Sequence, residues 1–231
     1  MVCKLCCKEN ELRNSHIIPE FFYVHLYDAK HRAQCMSSTG SKQDYKRRRP
    51  IQKGYREKLL CDDCEKLLNT RYENDYKKLW FDKDILPQTL IEGEQIILEG
   101  LDYHKFKQFH LSILFRASVS SLSEFQHVNL GPHEEELRKI LIHDLPTSDQ
   151  KYVILCHAIT KNNLEIQYGL ITSPFKTRQP NGYLSYGFCF GGCVWYYIVD
   201  SREVSDFSQF MLNSQGTLHI MSIPWEKFLR I

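Results

Sequence analysis

Four cysteines stand in two pairs of the Cys-x-x-Cys type. The first pair is Cys3 and Cys6, and the second pair is Cys61 and Cys64. Thiolates at this spacing are typical zinc ligands, and four of them fill a tetrahedral shell without leaving a position for water or substrate. The two pairs therefore predict one structural zinc ion bound by Cys3, Cys6, Cys61 and Cys64.

The segment between the pairs contains one residue suited to acid–base chemistry. His16 lies in the sequence Ser15-His16-Ile17-Ile18-Pro19, and a neutral imidazole can accept a proton from water near neutral pH. His16 is therefore a candidate general base. The alternative is a buried histidine that is hydrogen-bonded inside the fold, or one that contacts DNA without catalysis.

A basic segment follows within the same interval. Residues 42–58 contain eight lysines and arginines against Asp44 and Glu57, so the segment carries about six net positive charges. Such a concentration is expected where a protein contacts a phosphate backbone, although a solvated loop is the simpler interpretation. The candidate nucleic-acid contacts are Lys46, Arg47, Arg48, Arg49, Lys53 and Arg56.

Composition indicates an ordinary globular protein. Of the 231 residues, 42% are hydrophobic and 25% are charged. No run approaches the about 20 apolar residues of a membrane span, and the N-terminus lacks the apolar core of a signal peptide. We therefore expect a cytoplasmic location, where nine cysteines suggest metal ligands or free thiols before disulfides.

Hydrophobic periodicity predicts an α+β protein with two domains divided near residue 100. In the first domain (1–100), a strand is predicted over 12–18, a helix over 63–81 and a short strand within 94–101. In the second (101–231), helices are predicted over 104–125 and from Gly131-Pro132, and they precede an antiparallel sheet. Its predicted strands are 152–155, 164–168, 183–190, 194–199 and 218–223, with a hairpin turn at Gly191-Gly192.

Two features of the second domain have alternative interpretations. Arg116 lies in an apolar helical context, where it could be a buried ion-pair partner or an active-site residue; a head group that reaches solvent is the favoured interpretation. The aromatic strands between Tyr183 and Tyr197 could stack bases, but at this density they are more typical of a sheet core.

The order of the motifs resembles the zinc-clamped members of the HNH (His-Me finger) endonucleases, over residues 1–70. The resemblance rests on Cys3-x-x-Cys6, His16-Ile17-Ile18-Pro19, the basic segment and Leu59-Leu60-Cys61-x-x-Cys64. It implies a treble-clef ββα fold, with His16 as the general base. Two positions depart from the family pattern: Ser15 replaces an acid or histidine before the base, and Glu65 replaces a histidine or asparagine after the last cysteine.

The resemblance also implies a function. The expected activity is metal-dependent cleavage of DNA phosphodiester bonds, with Glu65 and Glu57 binding Mg²⁺ or Mn²⁺, in restriction or anti-phage defence beside an ATPase partner. The second domain would then bind a partner or the target. The alternative is a zinc-finger module without catalysis that binds nucleic acid or a partner protein. A purely structural interaction protein, with a solvated basic segment, is a third possibility.

Overall fold

A two-stranded hairpin opens the chain. The computed structural model describes residues 1–28, 54–83, 85–90, 94–161, 165–179 and 181–228. Strand β1 (Leu12–His16) pairs antiparallel with β2 (Arg56–Cys61), and the register places His16 opposite Arg56. The strand predicted from residue 12 is therefore confirmed, and it ends at the histidine.

A helical segment follows β2 without a break. It consists of α1 (Asp62–Leu68), a π-helical turn (Asn69–Glu73), α2 (Asn74–Lys77) and a second π-helical turn (Lys78–Asp82). Acidic side chains in the first turn of α1 suit the positive end of the helix dipole. The helix predicted over 63–81 is confirmed, and its buried stripe consists of Leu68, Tyr72, Tyr76 and Trp80.

Seven strands form the main sheet, in the order β3-β9-β4-β8-β7-β6 with β5 beside β4. Strands β7 and β8 form the hairpin predicted at Gly191-Gly192, and both glycines have positive φ. The strands of the sheet are β3 (Gln95–Leu98), β4 (Ile154–Lys161), β5 (Glu165–Ile166), β6 (Phe175–Arg178), β7 (Leu184–Phe190), β8 (Cys193–Ile198) and β9 (Leu218–Pro224).

Two details of the predicted sheet are corrected. The sheet is mixed rather than antiparallel, because β9 runs parallel to β4 while pairing antiparallel with β3. The alternation of residues along a strand shows which side chains share a face of the sheet. It does not show which strand is the neighbour, or whether the two run parallel or antiparallel. The strand predicted from Tyr152 begins at Ile154 instead, since Tyr152 has a positive φ of 50° and lies in a bend of the backbone.

Two helices form the predicted pair in the second half. Helix α3 (Tyr103–Ser118) begins at the N-cap Asp102, and α4 (Pro132–His143) begins with proline. Helix α3 ends at Ser118 rather than near residue 125, because the next serines bind Glu57 instead of continuing the helix. A short helix, α5 (Trp225–Phe228), follows β9.

Within the described ranges, no helix combines the length and the apolar character that crossing a membrane requires.

The main hydrophobic core contains side chains from both sides of residue 100. Phe22 packs against Phe190 with ring centroids 4.6 Å apart, and Trp80 lies 5.2 Å from Trp195. The Trp80 indole N–H donates to the Gly191 carbonyl at 2.9 Å. A Cβ at Gly191 would lie 2.7 Å from Phe22, so this close approach requires glycine. The predicted division into two domains stays a prediction.

The opposite face of the sheet is covered by a second hydrophobic cluster. The aromatic strands contribute to both clusters, since Trp195 and Tyr197 belong to the main core while Val194 and Tyr196 belong to the second. This alternation follows from the two-residue period of a strand. Tyr186, Phe188 and Phe190 are also fully buried, as the sheet-core interpretation predicts.

Lys107 is a buried lysine on α3, and its burial predicts how the stability of the protein changes with pH. Its side chain is 2% exposed, and Nζ donates to the carbonyls of Ser148 and Lys151 and to the Tyr103 hydroxyl. Burial lowers the pKa of Lys107 from 10.5 to about 7, against the opposing effect of Asp149. The unfolded chain therefore binds more protons between these two values, and the free energy of unfolding should rise with pH in that window.

In the Lys107→Met variant, the free energy of unfolding should change less with pH, because this variant lacks the titrating amine. We expect urea denaturation of the wild type to give a larger gain in stability between pH 7 and about pH 9 than denaturation of the variant gives. Equal gains would mean that Lys107 keeps its proton in the native protein.

Candidate zinc centre and histidine site

Four cysteine sulfurs converge at the base of the hairpin. Cys3 and Cys6 lie in the N-terminal loop, Cys61 ends β2, and Cys64 lies in the first turn of α1. Their Sγ atoms all lie within 4.8 Å of one another, and Cys6 Sγ is 3.8 Å from Cys61 Sγ. Zn–S bonds of about 2.3 Å in a tetrahedron place the sulfurs about 3.8 Å apart. The four residues therefore fit a zinc ion.

Neighbouring backbone groups favour the thiolate form of Cys3, whereas burial raises the pKa values of Cys61 and Cys64. The Cys61 backbone N–H donates to Cys3 Sγ at 3.3 Å. Burial acts to raise the pKa of Cys3, but hydrogen bonds from the backbone of Cys6, Cys61 and Leu5 outweigh it and lower the pKa to about 7. Cys7, the third cysteine of this loop, is exposed and lies outside the cluster.

Helix α4 holds the same loop from outside. Arg138 donates from Nη1 to the Leu5 carbonyl at 2.9 Å, while its Nε and Nη2 donate to Glu135. The two elements are 133 residues apart in sequence. A helix of the second half therefore helps to hold the loop that carries the first cysteine pair.

His16 is partly accessible at the end of the hairpin. Its side chain is 22% exposed, and Nε2 lies 3.9 Å from a carboxylate oxygen of Glu20. Arg56 is its cross-strand partner, and residues paired in this way carry Cβ atoms about 5 Å apart. Tyr27 lies near both charges: burial and Glu20 raise its pKa, and Arg56 lowers it. We call His16, Glu20, Tyr27 and Arg56 the histidine cluster.

The other predicted nucleic-acid contacts lie outside the described residues. They are Lys46, Arg47, Arg48, Arg49 and Lys53, and Arg56 alone of the six belongs to the described part of the chain. Arg56 belongs to the basic segment 42–58 and is the first residue of β2. The rest of the basic segment is therefore joined to the protein at the cross-strand partner of His16.

Ser15 and Glu65 face the interior. Ser15 is 1% exposed and its Oγ accepts the Leu60 backbone N–H at 3.1 Å. Burial raises the pKa of Glu65, against the opposing effects of Arg116 and of a hydrogen bond with Ser15. Glu65 Oε1 is buried and has no hydrogen-bond partner among the described residues. Ser15 and one carboxylate oxygen of Glu65, at the two positions that depart from the family pattern, are therefore buried.

Arg116 is the residue whose role the sequence interpretation missed. Its side chain is 1% exposed, Nη2 lies 2.8 Å from Glu73 Oε1, and Nη1 donates to the His16 carbonyl at 2.8 Å. The favoured expectation of a head group in solvent is therefore wrong, and the alternative of a buried ion-pair partner is confirmed. The available signal was a single charge within the apolar sequence Leu114–Ala117.

Glu57 binds the segment after α3. Its carboxylate accepts hydrogen bonds from the Ser120 hydroxyl at 2.7 Å, the Ser121 backbone N–H at 2.9 Å and the Ser121 hydroxyl at 2.5 Å. Burial acts to raise the pKa of Glu57, but these hydrogen bonds outweigh it and lower the pKa. The carboxylate is therefore engaged in holding two segments together.

The implied catalytic Mg²⁺ or Mn²⁺ does not fit this arrangement. Within the part of the chain that the structure describes, the four cysteines are the one group of at least three Cys, His, Asp or Glu side chains that could share an ion. His16, Glu57 and Glu65 do not form such a group. The carboxylate of Glu57 is bound by serines, and the guanidinium of Arg116 lies close enough to influence Glu65, where it would repel a second cation.

Comparisons with protein-family models, with curated proteins and with solved structures found no match for the chain.

Proposed function

We propose that the protein is an HNH-type endonuclease that hydrolyses DNA phosphodiester bonds, with His16 as the general base. The observation that carries the proposal is the histidine cluster at the end of a hairpin that leads into a helix, with four cysteines at the base. This order of strand, strand and helix agrees with the treble-clef ββα module that the sequence implies. The proposed zinc ion is structural, since four thiolates leave it no open position.

Three members of the histidine cluster, His16, Glu20 and Arg56, have a chemical part in this proposal. His16 would take a proton from the attacking water, and Glu20 would stabilise the imidazolium that results. Arg56 would bind the phosphate opposite His16 and neutralise charge that builds up on it. Lys46, Arg47, Arg48, Arg49 and Lys53 would hold the DNA backbone on either side. The restriction or anti-phage role, with an ATPase partner, belongs to the same proposal.

Plasmid cleavage by the zinc-loaded protein tests the proposal. We expect the wild type to nick or linearise supercoiled DNA, and we expect His16→Ala to lower the rate by about 10²–10⁴-fold while DNA binding is unchanged. His219→Ala is a matched control, because that histidine lies on β9 and contacts Gln95. Equal rates for wild type and His16→Ala would exclude the general-base role. Parallel reactions with Mg²⁺, Mn²⁺ or EDTA show whether an added ion is required.

A second candidate function is a zinc-stabilised module that binds nucleic acid without cutting it. The observation that favours it is the burial of Ser15 and of Glu65 Oε1, together with the influence of Arg116 on Glu65, since the described residues then offer no catalytic cation site. Binding with a steep salt dependence, but without cleavage under any ion, would identify this function. Absence of binding to both DNA and RNA would exclude both candidates and leave a structural interaction protein.

A further inference from the structure

Arg116 joins three separate parts of the chain at one buried point. Nη1 donates to the carbonyl of His16, the last residue of β1, and Nη2 pairs with Glu73 in the first π-helical turn. Nε donates to the Ser112 carbonyl at 3.3 Å, and Nη2 also approaches the Ser112 hydroxyl at 3.2 Å. The guanidinium therefore connects the end of β1, the helical segment after β2, and α3.

The planar, multi-donor head group is necessary for this arrangement. A guanidinium offers five N–H donors in a fixed fork, whereas an ammonium is a single point from which three bonds diverge. Arginine can reach the His16 carbonyl and Glu73 from two different nitrogens at 2.8 Å each. A lysine at this position would keep the charge but would lose one of the two contacts.

The contact with the His16 carbonyl fixes the backbone next to the imidazole. The following amide of Ile17 donates to the Tyr55 carbonyl at 3.1 Å, so the two sides of this peptide bond are held by different elements. Because the imidazole is attached to the same Cα, its direction follows the orientation of the peptide. Errors of about 1 Å in the placement of a catalytic group can reduce rates by about 100-fold.

We propose that Arg116 is a positioning residue for His16, through which α3 becomes part of the catalytic centre. This inference rests on the proposed function, since it names a further residue of that site. Arg116 itself touches no substrate; it acts by holding the strand end that carries His16. The second half of the chain thereby contributes directly to the site, in addition to any role in binding a partner.

The test compares two variants of the full zinc-loaded chain. Arg116→Lys keeps the charge and removes the fork, and it is expected to fold more readily than a variant that leaves Glu73 without a counter-charge. Lys107→Met is the matched control, because it removes the other buried lysine or arginine of α3, which lies nine residues earlier and bonds to Ser148 and Lys151. That distance is about 13 Å along the helix axis.

We expect Arg116→Lys to lower kcat by about 100-fold with KM and zinc content unchanged, while Lys107→Met retains the wild-type kcat. In NMR spectra, the His16 ring and the Ile17 amide should shift in Arg116→Lys and stay in place in the control. Wild-type kcat with unshifted resonances in Arg116→Lys would overturn the inference, as would equal shifts in both variants. If the wild type itself fails to cleave, the proposed function fails, and the resonances still decide whether Arg116 positions His16.

Discussion

Replacement of Cys61 by serine is expected to release zinc and to unfold the hairpin with its N-terminal loop. Cys61 ends β2 and begins the helix, so its sulfur joins both elements to the loop of Cys3 and Cys6. Structural zinc in small domains contributes about 10–16 kcal/mol at neutral pH, which exceeds what the buried side chains of so short a segment can replace. Elemental analysis should find one zinc ion per wild-type chain.

Cys7→Ser is the matched control for this experiment, because Cys7 lies in the same loop and is exposed. It should keep the zinc ion and the thermal stability of the wild type. In Cys61→Ser, proteolysis should cut within the first 28 residues and within β2, which zinc protects in the wild type. A wild-type chain without zinc, or a Cys61→Ser variant that is as stable as the wild type, would contradict the assignment.

A second large loss of stability is expected when the buried ion pair of Arg116 and Glu73 is broken. Their side chains are 1% and 13% exposed. Arg116→Met or Glu73→Met alone should lower the free energy of unfolding by about 3–5 kcal/mol, because each leaves an unpaired charge in the interior. The double variant should lose less than the sum, by about 0.5–3 kcal/mol. The double variant should not regain the full stability of the wild type, since the His16 carbonyl also loses its hydrogen-bond donor.

The exposed ion pair of Lys105 and Asp75 is the control for this double-mutant cycle. Its N–O distance of 2.7 Å is similar, but the side chains are 48% and 44% exposed. Its coupling energy should be at most about 1 kcal/mol, because water screens both charges. Urea denaturation of the two sets of variants measures both couplings. A coupling at Arg116 and Glu73 no larger than that at Lys105 and Asp75 would show that burial adds nothing to the pair.

Local sequence signals predicted the cysteine cluster, a strand from residue 12 and the turn at Gly191-Gly192, since ligand spacing and turn chemistry act over a few residues. They did not predict the partners of Arg116, because the His16 carbonyl is 100 residues away. They also did not predict that Glu57 would bind the serines that end α3, which lie 63 and 64 residues further along the chain. A helix pattern shows that a residue is enclosed by apolar neighbours; it does not show which charge the fold brings to it.

The bond between Arg116 and the His16 carbonyl has a consequence for synthesis on the ribosome. The N-terminal hairpin and all four cysteines are translated before α3, so zinc can bind while Arg116 is still absent. His16 therefore acquires its backbone support, and Trp80 its contact with Gly191, only after the later elements emerge. Domains that fold during translation generally do so from the N-terminus. Here the nascent segment would bind metal first and would complete the surroundings of its histidine later, once α3 has left the exit tunnel.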